Sequence, residues 1–115
     1  MPFFVIHTNV AKEEVPPSFL EDTSRFLAEM IVKPIDKFTV VVNAGVMMSR
    51  GGTKGPCLLA HLSSIGKIGK DFNKTYTAQL STYLESSLGV DPARMMIKFD
   101  DMEPFQVGTN GTTVG

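Results

Sequence analysis

Pro34 and Pro92 stand 58 positions apart, and each separates an amphipathic stretch from a β-rich run, so the chain reads as one pattern written twice. A repeat of that kind limits the fold more than any single motif. In the first copy, Phe3-Phe4-Val5-Ile6 is apolar on consecutive residues, as in a strand covered on both faces, and polar His7, Thr8 and Asn9 close it. Lys12-Glu13-Glu14 reads as a solvated turn. Pro16-Pro17-Ser18 then opens a helix, since a proline in the first turn lacks only an N–H that would have no partner. Phe19, Leu20, Phe26, Leu27, Met30 and Ile31 recur at helical spacing and form its core stripe. Lys33-Pro34 ends the helix, because the residue before a proline is pushed out of the α region, and Phe38-Thr39-Val40-Val41-Val42 is the next strand.

The second copy has the same parts. After a glycine-rich loop from Met47 to Pro56 come the strand Cys57 to Leu62 and a helix from Asp71 to Leu88, ended by Gly89. Phe72, Tyr76, Leu80, Tyr83, Leu84 and Leu88 give that helix its apolar face. Met95 to Phe99 is the last main strand, and the tail from Asp100 is loop-like, turning at Gly108 and Gly111. The expected fold is α/β: a duplicated βαβ unit forming a four-stranded mixed sheet with two helices on one face. Residues 1–115 are expected to be a single domain of pseudo-repeats about 1–57 and 58–115. Two helices cover one face only, yet Phe3 to Ile6, Val40 to Val42 and Leu58 to Ala60 are apolar on both. A second copy of the chain, in a closed symmetric oligomer, is the expected cover for the other.

Composition removes several classes. Net charge is −1 and 43% of residues are hydrophobic, which argues against disorder and against an electrostatic nucleic-acid binder. No apolar run approaches the ~20 residues that span a bilayer, so no membrane insertion is expected, and the start lacks the pattern of a signal peptide. Cys57 is the one cysteine and reads as a buried thiol. His7 and His61 lack metal-ligand spacing and read as structural, so no metal site is expected. The glycine-rich segments match neither the dinucleotide nor the phosphate-loop pattern, and no cofactor is expected.

Met1-Pro2 carries the chemistry that remains. Trimming of the methionine would leave Pro2 with a free secondary amine at the end of a rigid strand, a base that no side chain can imitate. Together with Lys33-Pro34, Gly51-Gly52, the segment Ser63-Ser64-Ile65-Gly66-Lys67-Ile68-Gly69, and Val107-Gly108 before Asn110-Gly111-Thr112-Thr113, this start resembles the macrophage migration inhibitory factor and D-dopachrome tautomerase family. The resemblance runs the length of the chain. It implies a homotrimer with pockets at the subunit boundaries, cytoplasmic and also secreted without a signal peptide. It further implies a cofactor-free keto–enol tautomerase acting on phenylpyruvate-like aromatic α-keto acids or dopachrome-like compounds, with possible decarboxylation of the latter. The alternative it carries is a cytokine-like ligand for a cell-surface receptor of the invariant-chain type, with an incidental pocket.

The implied catalytic residues are Pro2 as base and Lys33, with Lys33, Ser64, Ile65, Met96, Lys98 and Val107 lining the substrate site. Taken alone, Lys33 before a proline reads as a helix-end cation satisfying carbonyls. Beside Pro2 it reads as the pocket cation. A terminal amine starts near pKa 8, and lowering it by two to three units requires roughly 3–4 kcal/mol. A unit charge ~6 Å away at an effective dielectric of ~20 supplies about 3 kcal/mol, and burial acts in the same direction. Period two places Met96 and Lys98 on one strand face, opposite Met95, Ile97 and Phe99. Lys98 reads three ways: a second carboxylate contact, a charge repelling the amine, or a solvated strand-end lysine. Met96 and Lys98 are closer to the D-dopachrome branch than to the tyrosine and asparagine of the cytokine branch.

Overall fold

The computed structural model describes all residues 1–115. Strand β1 (Phe3–Thr8), helix α1 (Phe19–Ile31) and strand β2 (Thr39–Asn43) form one βαβ unit, and β3 (Leu58–Ser64), α2 (Lys70–Leu88) and β4 (Met95–Asp101) form the other. The sheet order is β2-β1-β3-β4. Within each unit the strands are parallel, and the units join through antiparallel β1 and β3, with Phe3 opposite Ser63 and Thr8 opposite Leu58. This is the duplicated arrangement that the sequence implies.

Both helices lie on one face. Each presents residues four apart, Phe19, Thr23, Leu27 and Ile31 from α1 and Tyr76, Leu80, Leu84 and Leu88 from α2. They meet Phe4, Ile6, Leu58, Ala60 and Leu62 of the sheet in a single apolar core. Leu20 and Phe72, expected in the stripes, are about half exposed, because each is a step of the helix away from the buried line. The aromatic ring of Phe26 stacks on Tyr83 at 4.3 Å. The same Tyr83 hydroxyl lies 2.9 Å from Oγ1 of buried Thr23, giving that polar group a partner across the two helices.

Several boundaries differ from expectation. His7 and Thr8 continue β1 rather than closing it; Thr8 is fully buried because its hydroxyl donates to the Cys57 carbonyl at 2.8 Å. The tail is not only loop: Gly108–Thr109 and Thr112–Thr113 form a hairpin, β5 and β6. Asn110 (φ 51°) and Gly111 (φ 83°) make its two-residue turn, whose right-handed strand twist demands positive φ at both positions. The glycine-rich loop is held by Asn9, which donates to the Lys54 and Gly55 carbonyls, and by Arg94, which donates to Thr53, Gly55 and Pro56.

The second sheet face is uncovered in the single chain. Val41, Leu59 and Met96 are 39%, 41% and 50% exposed there. Its apolar character is diluted by His7, Asn43, His61, Lys98 and Asp100, which alternate with the buried positions. No helix is long and apolar enough to cross a membrane.

Removing the phenol oxygen by Tyr83→Phe should leave the stacking intact and cost about 1 kcal/mol, the net worth of one buried hydrogen bond. Urea unfolding midpoints of the two proteins measure it; equal midpoints would mean that Thr23 gains nothing from Tyr83.

Candidate active site

Three chain segments meet at one end of the sheet. Pro2 is there because β1 begins beside it: its carbonyl accepts from Thr39 N–H of β2 at 3.1 Å, and its side chain is fully buried. Phe3 pairs with Ser63, so one further step of the antiparallel register sets Pro2 across from Ser64, the last residue of β3. Both share the helix-covered face by strand alternation. The third segment is the end of α1, where Val32 takes a left-handed conformation (φ 61°, ψ 59°) and Lys33 follows.

Lys33 reaches from α1 to the end of β3. Its ammonium donates to Ser64 Oγ at 3.0 Å and to the Ile65 carbonyl at 2.6 Å. Ser64 is fully buried and its own carbonyl accepts from Met102 N–H, so this anchor is fixed from below. A lysine ammonium has three donors. Two are used here, which leaves one for an incoming anion.

The electrostatics suit a neutral amine. Burial pushes Lys33 below its ordinary value of 10.5, and neighbouring Lys67 pushes it the same way, against the opposing pull of Asp101. The terminal amine, carried on Met1 in this chain, is likewise held below its ordinary 8.0, first by burial, then by Lys33 and Lys37. Pro2 nitrogen is an amide while Met1 is attached, so the Met1 amine stands in for the one that trimming would expose a residue further in.

The expected site residues divide. Pro2, Lys33, Ser64 and Ile65 converge. Met96 and Lys98 do not join them, because Leu59 pairs with Met96 and His61 with Lys98, which sets both on the uncovered face. Lys98 is exposed and donates to the Asp100 carboxylate at 2.6 Å, as the solvated-lysine reading has it, and within the chain the second lysine acting on the amine is Lys37. Val107 is buried ahead of the hairpin, its carbonyl accepting from Val114 N–H at 2.8 Å, and no contact with Lys33 is among its bonds. The largest concavity of the single chain, about 780 Å³, lies elsewhere, between Phe26 and Met30 of α1 and Ala78, Thr82 and Tyr83 of α2. A second concavity, about 570 Å³, lies beside the Lys33 end against Ile31, Val32, Lys67 and Tyr76.

Sequence reasoning missed Lys37, Lys67 and Asp101 as neighbours of this site. A lysine in a short turn or a glycine-rich loop carries no local signal of what it will face.

Residues 1–115 match the family model described as macrophage migration inhibitory factor. The chain belongs to that family. It is 38% identical over 113 residues to the macrophage migration inhibitory factor of Xenopus tropicalis, covering 98% of each chain. It is 36% identical over 115 residues to D-dopachrome decarboxylase-B of Xenopus laevis, covering 99% of this chain and 98% of that one. The solved macrophage migration inhibitory factor of Trichinella spiralis superposes with a TM-score of 0.94 at 34% identity, covering 96% of this chain and 98% of the other. The homologue from Prochlorococcus marinus gives 0.91 at 27%, covering 98% and 99%. The macrophage migration inhibitory factor fold is thus present along the whole chain.

Both lowered values have one consequence for stability. Between the folded and unfolded pKa values the unfolded chain binds more protons, so stability rises with pH. Wild type should gain on Lys33→Met as pH climbs through the lowered Lys33 value towards the ordinary 10.5, and the difference should level off beyond. Denaturant titrations of both proteins across that range measure it; a difference that is flat or falls with pH would contradict the burial of the charge.

Proposed function

We propose that the protein is a cofactor-free tautomerase that moves a proton at the carbon beside a carbonyl, with the amine of trimmed Pro2 as the base. The observation that carries this is the meeting of Pro2, Lys33, Ser64 and Ile65 at one end of the sheet. A base working near neutral pH has to be unprotonated there, and burial with Lys33 and Lys37 lowers the terminal amine in the required direction. Membership of a family that includes a D-dopachrome decarboxylase supports the reaction class.

In the proposed step the substrate carboxylate takes the free donor of Lys33. The neutral Pro2 amine removes a proton from the carbon next to the carbonyl, and the electron pair moves onto the carbonyl oxygen as an enolate. Positive charge at Lys33 stabilises that oxygen as it develops, and return of the proton to the other position completes the transfer. The substrates proposed are aryl pyruvates such as phenylpyruvate and dopachrome-like compounds, the latter with or without loss of carbon dioxide. Residues 1–115 act as one functional domain of two pseudo-repeats.

A further wall of the pocket is assigned to a neighbouring copy in a homotrimer. Met96 and Lys98 are solvent-facing on the uncovered sheet face, where a partner's Lys33 end can meet them. Val107 lines the same boundary. A second activity, as a secreted cytokine-like ligand bound by an invariant-chain type receptor, is proposed beside it, in line with the relatives named macrophage migration inhibitory factor.

Ketonisation of phenylpyruvate and turnover of D-dopachrome methyl ester, wild type against Pro2→Gly, should differ by about 10²-fold or more, the usual share of a positioned general base. Intact mass should show Met1 removed in the active form; equal rates in the two proteins would end the reading. Light scattering at micromolar concentration should return three chains, and a mass of one chain would remove the boundary pocket.

A further inference from the structure

Two lysines cross between the same two segments in opposite directions. Lys33 leaves the end of α1 and bonds the end of β3. Lys67, in the loop that follows β3, returns to the end of α1 and donates to the Val32 carbonyl at 2.9 Å and the Ile31 carbonyl at 3.1 Å. No basic residue stands in the last turn of α1 itself, so Lys67 supplies from across the fold the cation that a helix C-terminus favours.

The backbone at each crossing is constrained. Val32 is β-branched and 72% exposed, yet it sits at φ 61°, and Lys67 sits at φ 57°. A side chain in that region is strained, and the strain is retained only where the surroundings fix it. Val32 is held by its own N–H and that of Lys33, which donate to the Ala28 carbonyl at 3.0 and 3.2 Å, and by Lys67 on the Val32 and Ile31 carbonyls. For Lys67 the contact is buried Tyr76 of α2, whose hydroxyl donates to the Lys67 carbonyl at 2.8 Å. Asp101 of β4 accepts from Gly66 N–H at 3.2 Å and pins the loop from the third side.

We propose that Lys67 is a positioning residue for Lys33: by holding the Ile31 and Val32 carbonyls it fixes the left-handed turn that sends Lys33 to Ser64 and Ile65. This inference rests on the tautomerase reading for its catalytic meaning, though its geometry does not. Anchored on two carbonyls, the Lys67 ammonium stays in place when Lys33 engages an anion. It acts on Lys33 and not directly on the terminal amine, whose charged neighbours are Lys33 and Lys37. The groups facing Lys33 are therefore Lys67 from the loop, Asp101 from β4, and the terminal amine.

The test follows Lys33 itself, by NMR titration of carbon-13-labelled lysines, with its resonance assigned by loss in Lys33→Arg. Lys67→Gln keeps a donor for α1 and removes the charge. Its Lys33 midpoint should move up by about half a pH unit or more, whereas Lys67→Arg should leave it at the wild-type value. With phenylpyruvate, Lys67→Gln should raise KM about tenfold, leave kcat within about threefold, and shift the alkaline limb of kcat/KM upward with the Lys33 midpoint. Should Lys67→Gln not fold, Tyr76→Phe frees the Lys67 backbone and should move the midpoint the same way. An unmoved Lys33 midpoint in the folded variant, accompanied only by a lower melting temperature, would reduce Lys67 to a helix cap and overturn the proposal. The midpoint is read without catalysis, so a wild type that proved inactive would end the tautomerase reading while leaving this result to stand or fall alone.

Discussion

The antiparallel pairing of β1 with β3 is the contact on which the rest depends. Each βαβ unit could form its parallel pair unaided, but only this central ladder joins the two into one sheet and sets both helices on one face. It also fixes the candidate site. With Phe3 opposite Ser63, the start of the chain lies level with the end of β3, and a slip of one residue would send Ser64 and Pro2 to opposite faces.

From that register the electrostatics follow. The end of α1 packs over the same end of the sheet, so Lys33 finds Ser64 and Ile65 within reach and is partly withdrawn from water. Its charge then falls on the terminal amine, together with that of Lys37. Packing has placed like charges close together, and Lys33 among them is held by neutral oxygen acceptors rather than by a carboxylate partner. A carboxylate of the protein itself on Lys33 would cancel, before any substrate arrived, the charge that lowers the amine. The neutral acceptors leave that charge in force.

Much of this was legible in the residues. Period 3.6 in Phe19, Leu27 and Ile31 and in Tyr76, Leu80 and Leu84, consecutive apolar residues in Phe3 to Ile6, and the repeated proline gave the elements and their order. Boundaries were less legible, since Thr8 looks like a strand terminator until its hydroxyl finds the Cys57 carbonyl 49 positions away. Met96 and Lys98 were assigned to one strand face correctly, but which face meets Lys33 depends on a neighbouring strand and, in the trimeric reading, on a neighbouring chain. Lys67 stood within the Ser63 to Gly69 segment, but its role gave no signal, because its partners lie across the fold and are backbone carbonyls, which any sequence has.

The sequence by itself determined the α/β class, the duplication, the uncovered face and the candidacy of Pro2 and Lys33, because periodicity and local backbone preference are properties of neighbouring residues. Tertiary structure alone decided that Lys33 spends two donors on Ser64 and Ile65, that Lys37 of the same chain acts on the amine, and that Lys67 returns to α1. Those outcomes depend on register between distant strands and on a few ångströms of reach, and neither quantity is encoded in the order of adjacent residues.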